Sequence, residues 1–325
     1  MSMKPTFSST THPSGVDPEA SIRQSMTVNA RTFSLAARFL PPEKRAATTV
    51  LYAFCREVDD LVDEPVPGRT KTDVRATLDT WQSWLTSDRT AKGPSEPLAS
   101  ELARVIARYG IPVQYLIDLL DGLRMDLEPV AFEDEAELRR YCYGVASTVG
   151  LGMAHVLGAT SDAALRAAAD LGAAMQRTNI LRDVGEDLSF GRLYLPKNTL
   201  VQFDLTHHAL FDLWRSNSGP DEHFRALMRD EVARTRALYQ QGMPGIWLLP
   251  SDSRLPILLA TRLYRRILTV IERRDYDTLR RRASTSRHEK FEEAAIALLV
   301  DRLWRRGEIA PRRPGLAPIT SLRET

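Results

Sequence analysis

Two acidic stretches constrain this chain more than anything else in it, YAFCREVDDLVDE at 52–64 and QRTNILRDVGEDL at 176–188. Neither holds a proline and the one glycine is Gly185, so both read as continuous helix, in which residues three or four apart share a face. On that geometry Asn179, Asp183 and Asp187 form one column, and Arg56, Asp59, Asp60 and Asp63 form another. Stacked carboxylates repel by roughly a few tenths of a kcal/mol per pair and raise one another's pKa, so a cationic partner is expected. Asp and Asn oxygens suit a hard divalent ion. Mg²⁺ in particular binds through one or two carboxylates and keeps positions for phosphate oxygens. The expectation is a helical cleft that holds diphosphates through bridging Mg²⁺. A single column would read as a solvated helix face; two of them, interleaved with Val58, Leu61, Val62, Ile180, Leu181 and Val184, argue for a pair of facing walls.

The rest of the chain gives these walls a helical setting. With 325 residues, 43% of them apolar, one large core is within reach, and a net charge of +2 gives no bias toward polyanions. Cys55 and Cys142 lie inside apolar helical patterns and read as buried thiols of a cytosolic protein. Residues 1–20 are rich in Ser, Thr and Pro and read as a disordered tail, residues 21–305 as one helical domain, and residues 306–325 as a flexible Arg- and Pro-rich tail. No apolar run reaches the ~18 residues of a membrane-spanning helix. Any membrane contact is therefore expected to be peripheral, at the inner face, for a cytoplasmic protein.

Helical spacing recurs over 21–40, from 43 to 64, and over 71–90 with Trp81, Trp84 and Leu85 inward. It returns over 98–109, 113–128, 138–160, 221–243, 252–274 and 288–305. Asp118, Asp121, Arg124 and Asp126 mark one face of 113–128 as a possible cleft lining or an ordinary polar surface. In 138–160 the small residues Gly144, Ala146, Ser147, Gly150 and Gly152 serve either close backbone approach or volume for a ligand. His155 is expected to sit satisfied in or near that core. Arginines cluster after position 262, including Arg280 to Arg282, and suggest diphosphate contact, solvated surface or an anionic membrane. Strand alternation, a Gly-rich phosphate loop and internal repeats are lacking, so the fold class is all-α.

The two acidic stretches, spaced about 120 residues apart and followed by GRLYLP, resemble the squalene/phytoene synthase family. RTFSLAARFLPPEKR before them and YCYGVASTVG between them match the same family in the same order, so the resemblance covers roughly residues 22–300. It implies a single-domain helical bundle of the isoprenoid synthase type, with a central apolar cavity flanked by the aspartate motifs. Carried over by position, Asp59, Asp63, Asp183 and Asp187 resemble the metal-binding pairs, with Asn179 and Gln176 beside the second. Arg31, Thr32, Arg56 and Arg182 resemble diphosphate ligands, and Tyr52, Tyr141 and Tyr264 the tyrosines near the diphosphates and the cationic intermediate. Arg177 departs from the family, where Leu is common, and is expected to face water or a diphosphate.

IERRDYDTLRRRAS, near the end, is most similar to the phytoene synthases of that family. That likeness implies head-to-head joining of two geranylgeranyl diphosphates through prephytoene diphosphate, with Mg²⁺ or Mn²⁺ and no NADPH. The alternative is a thirty-carbon synthase that makes presqualene diphosphate, squalene or dehydrosqualene from farnesyl diphosphate. A non-catalytic scaffold member of the family is a remote third, since both acidic columns keep their arginines. A nucleic-acid partner is not expected, because the basic runs lack interleaved aromatics.

Overall fold

The computed structural model describes residues 36–63 and 66–309, and among them there is no strand beyond one parallel bridge between Ala131 and Leu193. Helix α1 (Pro42–Asp63) starts on a proline, which fits a first turn because it needs no N–H partner there. Helices α2 (Lys71–Thr86) and α3 (Leu98–Tyr109) follow, the first opened by a capping box between Thr70 and Asp73 and the second closed by Gly110 at φ 59°. Helix α4 (Val113–Met125) leads to α5 (Glu135–Cys142), a π-helical turn (Tyr143–Ser147) and α6 (Thr148–Leu157). The long α7 (Asp162–Ser189) is capped by Ser161. Short α8 (Lys197–Val201) and α9 (His207–Ser216) precede α10 (Glu222–Gly242), a 3₁₀ turn (Met243–Leu248), α11 (Ser251–Arg273) and α12 (Arg287–Arg305).

This is the all-α architecture expected, with three differences. The pattern over 71–90 stops at Thr86, that over 138–160 is broken by the π turn, and α8 and α9 were not foreseen. Both thiols are buried and unpaired, as expected.

The two acidic stretches lean on different neighbours. α1 packs against α3, α4 and α6, whereas α7 packs against α10, α11, α6 and the π turn. α6 touches both and forms the floor between them. The small residues of this stretch turn out to serve close approach rather than ligand volume. A Cβ on Gly144 would lie 2.9 Å from Gly122 Cα, one on Gly150 2.6 Å from the Ala168 carbonyl, and one on Gly152 3.1 Å from a Leu51 methyl.

The apolar core falls into clusters on either side of this floor. Val145 packs against the two largest, Tyr52 against the second and third, and Ile257 against the first and third. Each of the three keeps part of its surface accessible. A separate concavity of about 390 Å³, lined by Gln240, Met243, Pro244, Trp247 and Leu258, holds none of the acidic residues.

Candidate active site

The first column occupies the last turns of α1. Arg56 Nη1 donates to Asp59 Oδ2 at 2.8 Å and the same guanidinium pairs with Asp60. Burial, reinforced by Asp63, pushes the Asp59 carboxyl up to about 7 against the pull of Arg56. Asp63, the final residue of the helix, accepts from Arg192 Nη1 at 2.9 Å, a residue 129 positions further along the chain. One turn before Arg56, burial lifts the Tyr52 hydroxyl to about 12, with Arg56 opposing and Tyr264 among its neighbours.

The second column lies on α7. Arg182 donates to both oxygens of Asp183, at 2.8 and 2.5 Å, and Arg282 reaches the same carboxylate at 2.7 Å. Asp187, one turn on, is pushed up to about 8 by burial and then by Asp183, while Arg192 pulls it down. Asn179 Nδ2 donates to Gln176 Oε1 at 3.3 Å, and Asn179 Oδ1 is buried with no hydrogen-bond partner. Tyr264 of α11 is held above its ordinary pKa by burial, with Arg182, Asp183 and Arg282 as its charged neighbours.

Between the columns sits Asp126, just beyond α4. It accepts from the hydroxyls of Tyr141 and Tyr194, each at 2.9 Å, and those two rings stack with centroids 5.0 Å apart. Burial raises its carboxyl to about 6 although both hydroxyls oppose this. Its charge adds a little to the upward shifts of Asp59 in the first column and Asp187 in the second, so it lies within electrostatic reach of both. Arg192 does likewise, since it binds Asp63 and lowers Asp187 and Asp126.

The structure thus brings Tyr52, Arg56, Asp59, Asp63, Tyr141, Gln176, Asn179, Arg182, Asp183, Asp187 and Tyr264 to one region, linked through Asp126 and the arginines. Arg31 and Thr32 lie outside the described residues. Asp126, one of four residues flagged on its segment, belongs to the site. Arg124 instead pairs with Asp79 and Asp121, and Asp118 bonds Gln114 and Tyr143.

Three expectations need correction. Arg177 faces neither water nor a diphosphate; it is buried and paired with Glu135 of α5 and Glu231 of α10, 2.5 Å from the latter. Arg262 and Arg266 pair with acids of α12 rather than with a ligand or solvent. His155 is half-buried beside Tyr115, its Nε2 lacks a partner, and burial lowers its pKa.

Arg192 and Tyr194 are missed from the sequence, where their signal is the GRLYLP turn, and Arg282 is named there only within the arginine run at 280–282. Gly185 explains how Arg282 arrives. A Cβ there would stand 2.1 Å from the Leu279 carbonyl, and its N–H donates to the Thr278 carbonyl at 3.0 Å, so residues 278–282 lie directly on α7.

Among the described residues no three His, Cys, Asp or Glu side chains converge as a closed metal cage. Mg²⁺ does not need one, because it takes one or two carboxylates and completes its shell with water and phosphate oxygens. The orphaned Asn179 Oδ1 and the strained ionisation of Asp59 and Asp187 are what such a shared ion would relieve.

Comparison with known proteins agrees with this geometry. The squalene/phytoene synthase family profile matches residues 26–289. The chain is 37% identical over 290 residues to the 15-cis-phytoene synthase of Synechococcus elongatus, covering 85% of this chain and 91% of that one. It is 36% identical over 274 residues to a chloroplastic phytoene synthase of an Oncidium hybrid, covering 82% of this chain but 64% of the plant protein. Among solved structures, a dehydrosqualene synthase in complex with ligand superposes with a TM-score of 0.76 at 26% identity, over 88% of this chain and 96% of that one. A squalene synthase of Alicyclobacillus acidocaldarius gives 0.71 at 27% identity, over 80% and 95%.

Proposed function

The chain belongs to the squalene/phytoene synthase family, and from that membership and the geometry of its site we propose that it joins two geranylgeranyl diphosphates head-to-head into phytoene. The observation that carries the reading is the pair of aspartate columns on α1 and α7, connected by Arg192, which binds Asp63 of the first and lowers Asp187 of the second, with Tyr52, Val145 and Ile257 partly accessible where the apolar clusters meet. Preference for the twenty-carbon substrate comes from the phytoene synthases at 36–37% identity, against 26–27% for the dehydrosqualene and squalene synthases.

Ionising an allylic diphosphate places negative charge on the leaving group and leaves a carbocation. Asp59, Asp63, Asn179, Asp183 and Asp187 would hold Mg²⁺, which supplies positive charge at the diphosphate oxygens. Arg56, Arg182, Arg192 and Arg282 already stand on those carboxylates and would turn to the diphosphates as ions take their places. Fixed guanidinium donors strengthen as water leaves the cleft. Tyr52 and Tyr264 are neighbours beside the charged columns, and aromatic faces attract a cation by about 0.5–2 kcal/mol. Tyr141, bonded to Asp126, stands where a proton could be relayed through a hydroxyl and a carboxylate whose pKa lies near 6.

Separate incubation with geranylgeranyl and farnesyl diphosphate, with Mg²⁺ and with or without NADPH, followed by product mass, tests the proposal. A forty-carbon hydrocarbon formed without NADPH is expected. Turnover of farnesyl diphosphate alone would assign the thirty-carbon reaction, and absence of Mg²⁺-dependent diphosphate release would assign a scaffold. The proposal places the protein in the cytoplasm, attached peripherally to the inner face of the membrane. No helix among the described residues is long and apolar enough to cross one.

A further inference from the structure

Helix α12 turns the usual arrangement of an amphipathic helix around. Its buried residues are Glu293, Ala297 and Asp301, and the two acids are each only 6% exposed. Glu289, Glu292 and Glu293 all point toward α11, where Arg266 meets the three of them, Arg262 holds Glu293 at 2.7 Å and Arg273 holds Glu289 at 3.1 Å. Farther along, Trp304 lies flat on Trp247 with centroids 5.1 Å apart, and Arg254 sits 3.6 Å over the Trp304 ring. The helix is therefore fastened to the bundle by ion pairs, one aromatic stack and the small apolar contacts of Ala294, Ala297 and Val300.

Its large apolar side chains point the other way. Phe291, Leu298 and Leu299 are 74%, 46% and 55% exposed, and with the exposed Ala295 their spacing places them on one outward stripe. A lone exposed leucine needs no explanation, but a stripe of three large apolar residues on one helix does. Arg287 and Arg302 fall on the stripe and have no carboxylate partner among the described residues. Glu289, Glu292 and Glu293 are spent on α11 and Asp301 on Arg305 of its own helix at 2.7 Å, so the outward face presents apolar and basic groups together. That combination is the signature of a helix lying in a membrane interface.

We propose that the outer face of α12 docks on an anionic bilayer, with Phe291, Leu298 and Leu299 at the boundary between headgroups and acyl chains. Charge complementarity selects this occupant. A negative leaflet attracts Arg287 and Arg302 on the stripe, whereas a second copy packed through the same face would bring like charges together. Connectivity gives the docking a use. α12 begins five residues after Arg282, which touches Asp183, so at most about 18 Å of extended chain separates the lipid-facing helix from the second acidic column. The inference gives a surface to the membrane attachment proposed above and does not depend on which isoprenoid the site takes.

The full-length protein, without substrate, is sedimented with phosphatidylcholine vesicles and with the same vesicles containing phosphatidylglycerol. Binding is expected only to the anionic vesicles, weakening roughly five-fold for each of Arg287→Gln and Arg302→Gln. The combined variant Phe291→Ser, Leu298→Ser, Leu299→Ser should lose binding by about ten-fold or more while its circular dichroism and its diphosphate release from detergent-dispersed substrate stay at wild-type levels. Undiminished vesicle binding by that variant, or equal binding to both vesicle types, overturns the proposal. So does a concentration-dependent dimer that the triple variant dissolves, which would give the face to a second copy. Failure of Leu298→Cys to react with a maleimide in the lipid-free protein would show the face covered by the chain's own residues and overturn it as well.

Discussion

The acidic walls on α1 and α7 look alike in sequence and are supported differently in space. On α7, Asp183 is gripped by Arg182 of its own helix and by Arg282 of the segment laid over Gly185. On α1 the column runs out with the helix, and its last member, Asp63, is held by one guanidinium from the turn after α7. Yet each wall keeps one carboxyl whose charge the arginines do not relieve, Asp59 at about 7 and Asp187 at about 8. The α7 wall is set by packing and the α1 wall by a reaching side chain. Changes behind the first should cost stability and rate together, and changes at the second should show mainly in metal and substrate binding.

The largest effect is expected for Asp183→Ala and Asp59→Ala, each lowering turnover on the order of 10²-fold or more with helical circular dichroism unchanged. Near-normal turnover in the α1 variant alone would break the symmetry of function and leave a one-walled site.

Next comes pH. A divalent ion needs Asp59 and Asp187 ionised, so Mg²⁺ affinity should rise with pH up to about 7 to 8, by as much as about ten-fold per pH unit for each carboxyl released. The same shifts act on the metal-free fold. Both carboxyls hold protons in the folded state that they lose near pH 4 when unfolded, so stability should fall as pH rises from about 4 toward 8. Thermal melts with and without Mg²⁺ and diphosphate check both signs, and the ligand-induced gain in Tm should be larger at pH 8 than at pH 6.

Gly185→Ala sharpens the contrast in support. Its Cβ has no room against the Leu279 carbonyl, so a loss of about 1–3 kcal/mol in stability is expected, and a drop in turnover that matches Arg282→Gln. A destabilised variant with full turnover would show that Arg282 is not needed on Asp183. The smallest effect should come from Tyr264→Phe, which keeps the ring beside Arg182 and Asp183 and removes the hydroxyl. Less than about ten-fold loss in kcat is expected if the face of the ring is what matters.

What the sequence made legible was local. The acidic columns depend on i,i+4 spacing, and the helices over 43–64, 98–109 and 288–305 on apolar spacing, all properties of short stretches. Contacts from far along the chain were not legible. Arg177 looked like a foreign charge beside the site because its partner Glu231 lies 54 residues away, and Arg262 looked available because the acid that occupies it sits on α12. Asp126 could not be told from Asp118 or Asp121 until Tyr141 and Tyr194 were seen converging on it. Gly144 and Gly150 were equally compatible with a void or a tight crossing, and only the opposing backbones at Gly122 and Ala168 decide between them.

The π turn between α5 and α6 has a genetic corollary. There the Thr148 N–H reaches back five residues to the Tyr143 carbonyl, one more than an ordinary helical turn spans. Deleting a single codon within 143–147 would remove the extra residue and let regular bonding resume with the flanks close to their present phase, whereas inserting one would swing one flank about 100° relative to the other. After an insertion Tyr141 would leave Asp126, or Gly150 and Gly152 would meet Ala168 and Leu51 with the wrong edge. An added residue in this stretch should therefore be far more damaging than a removed one.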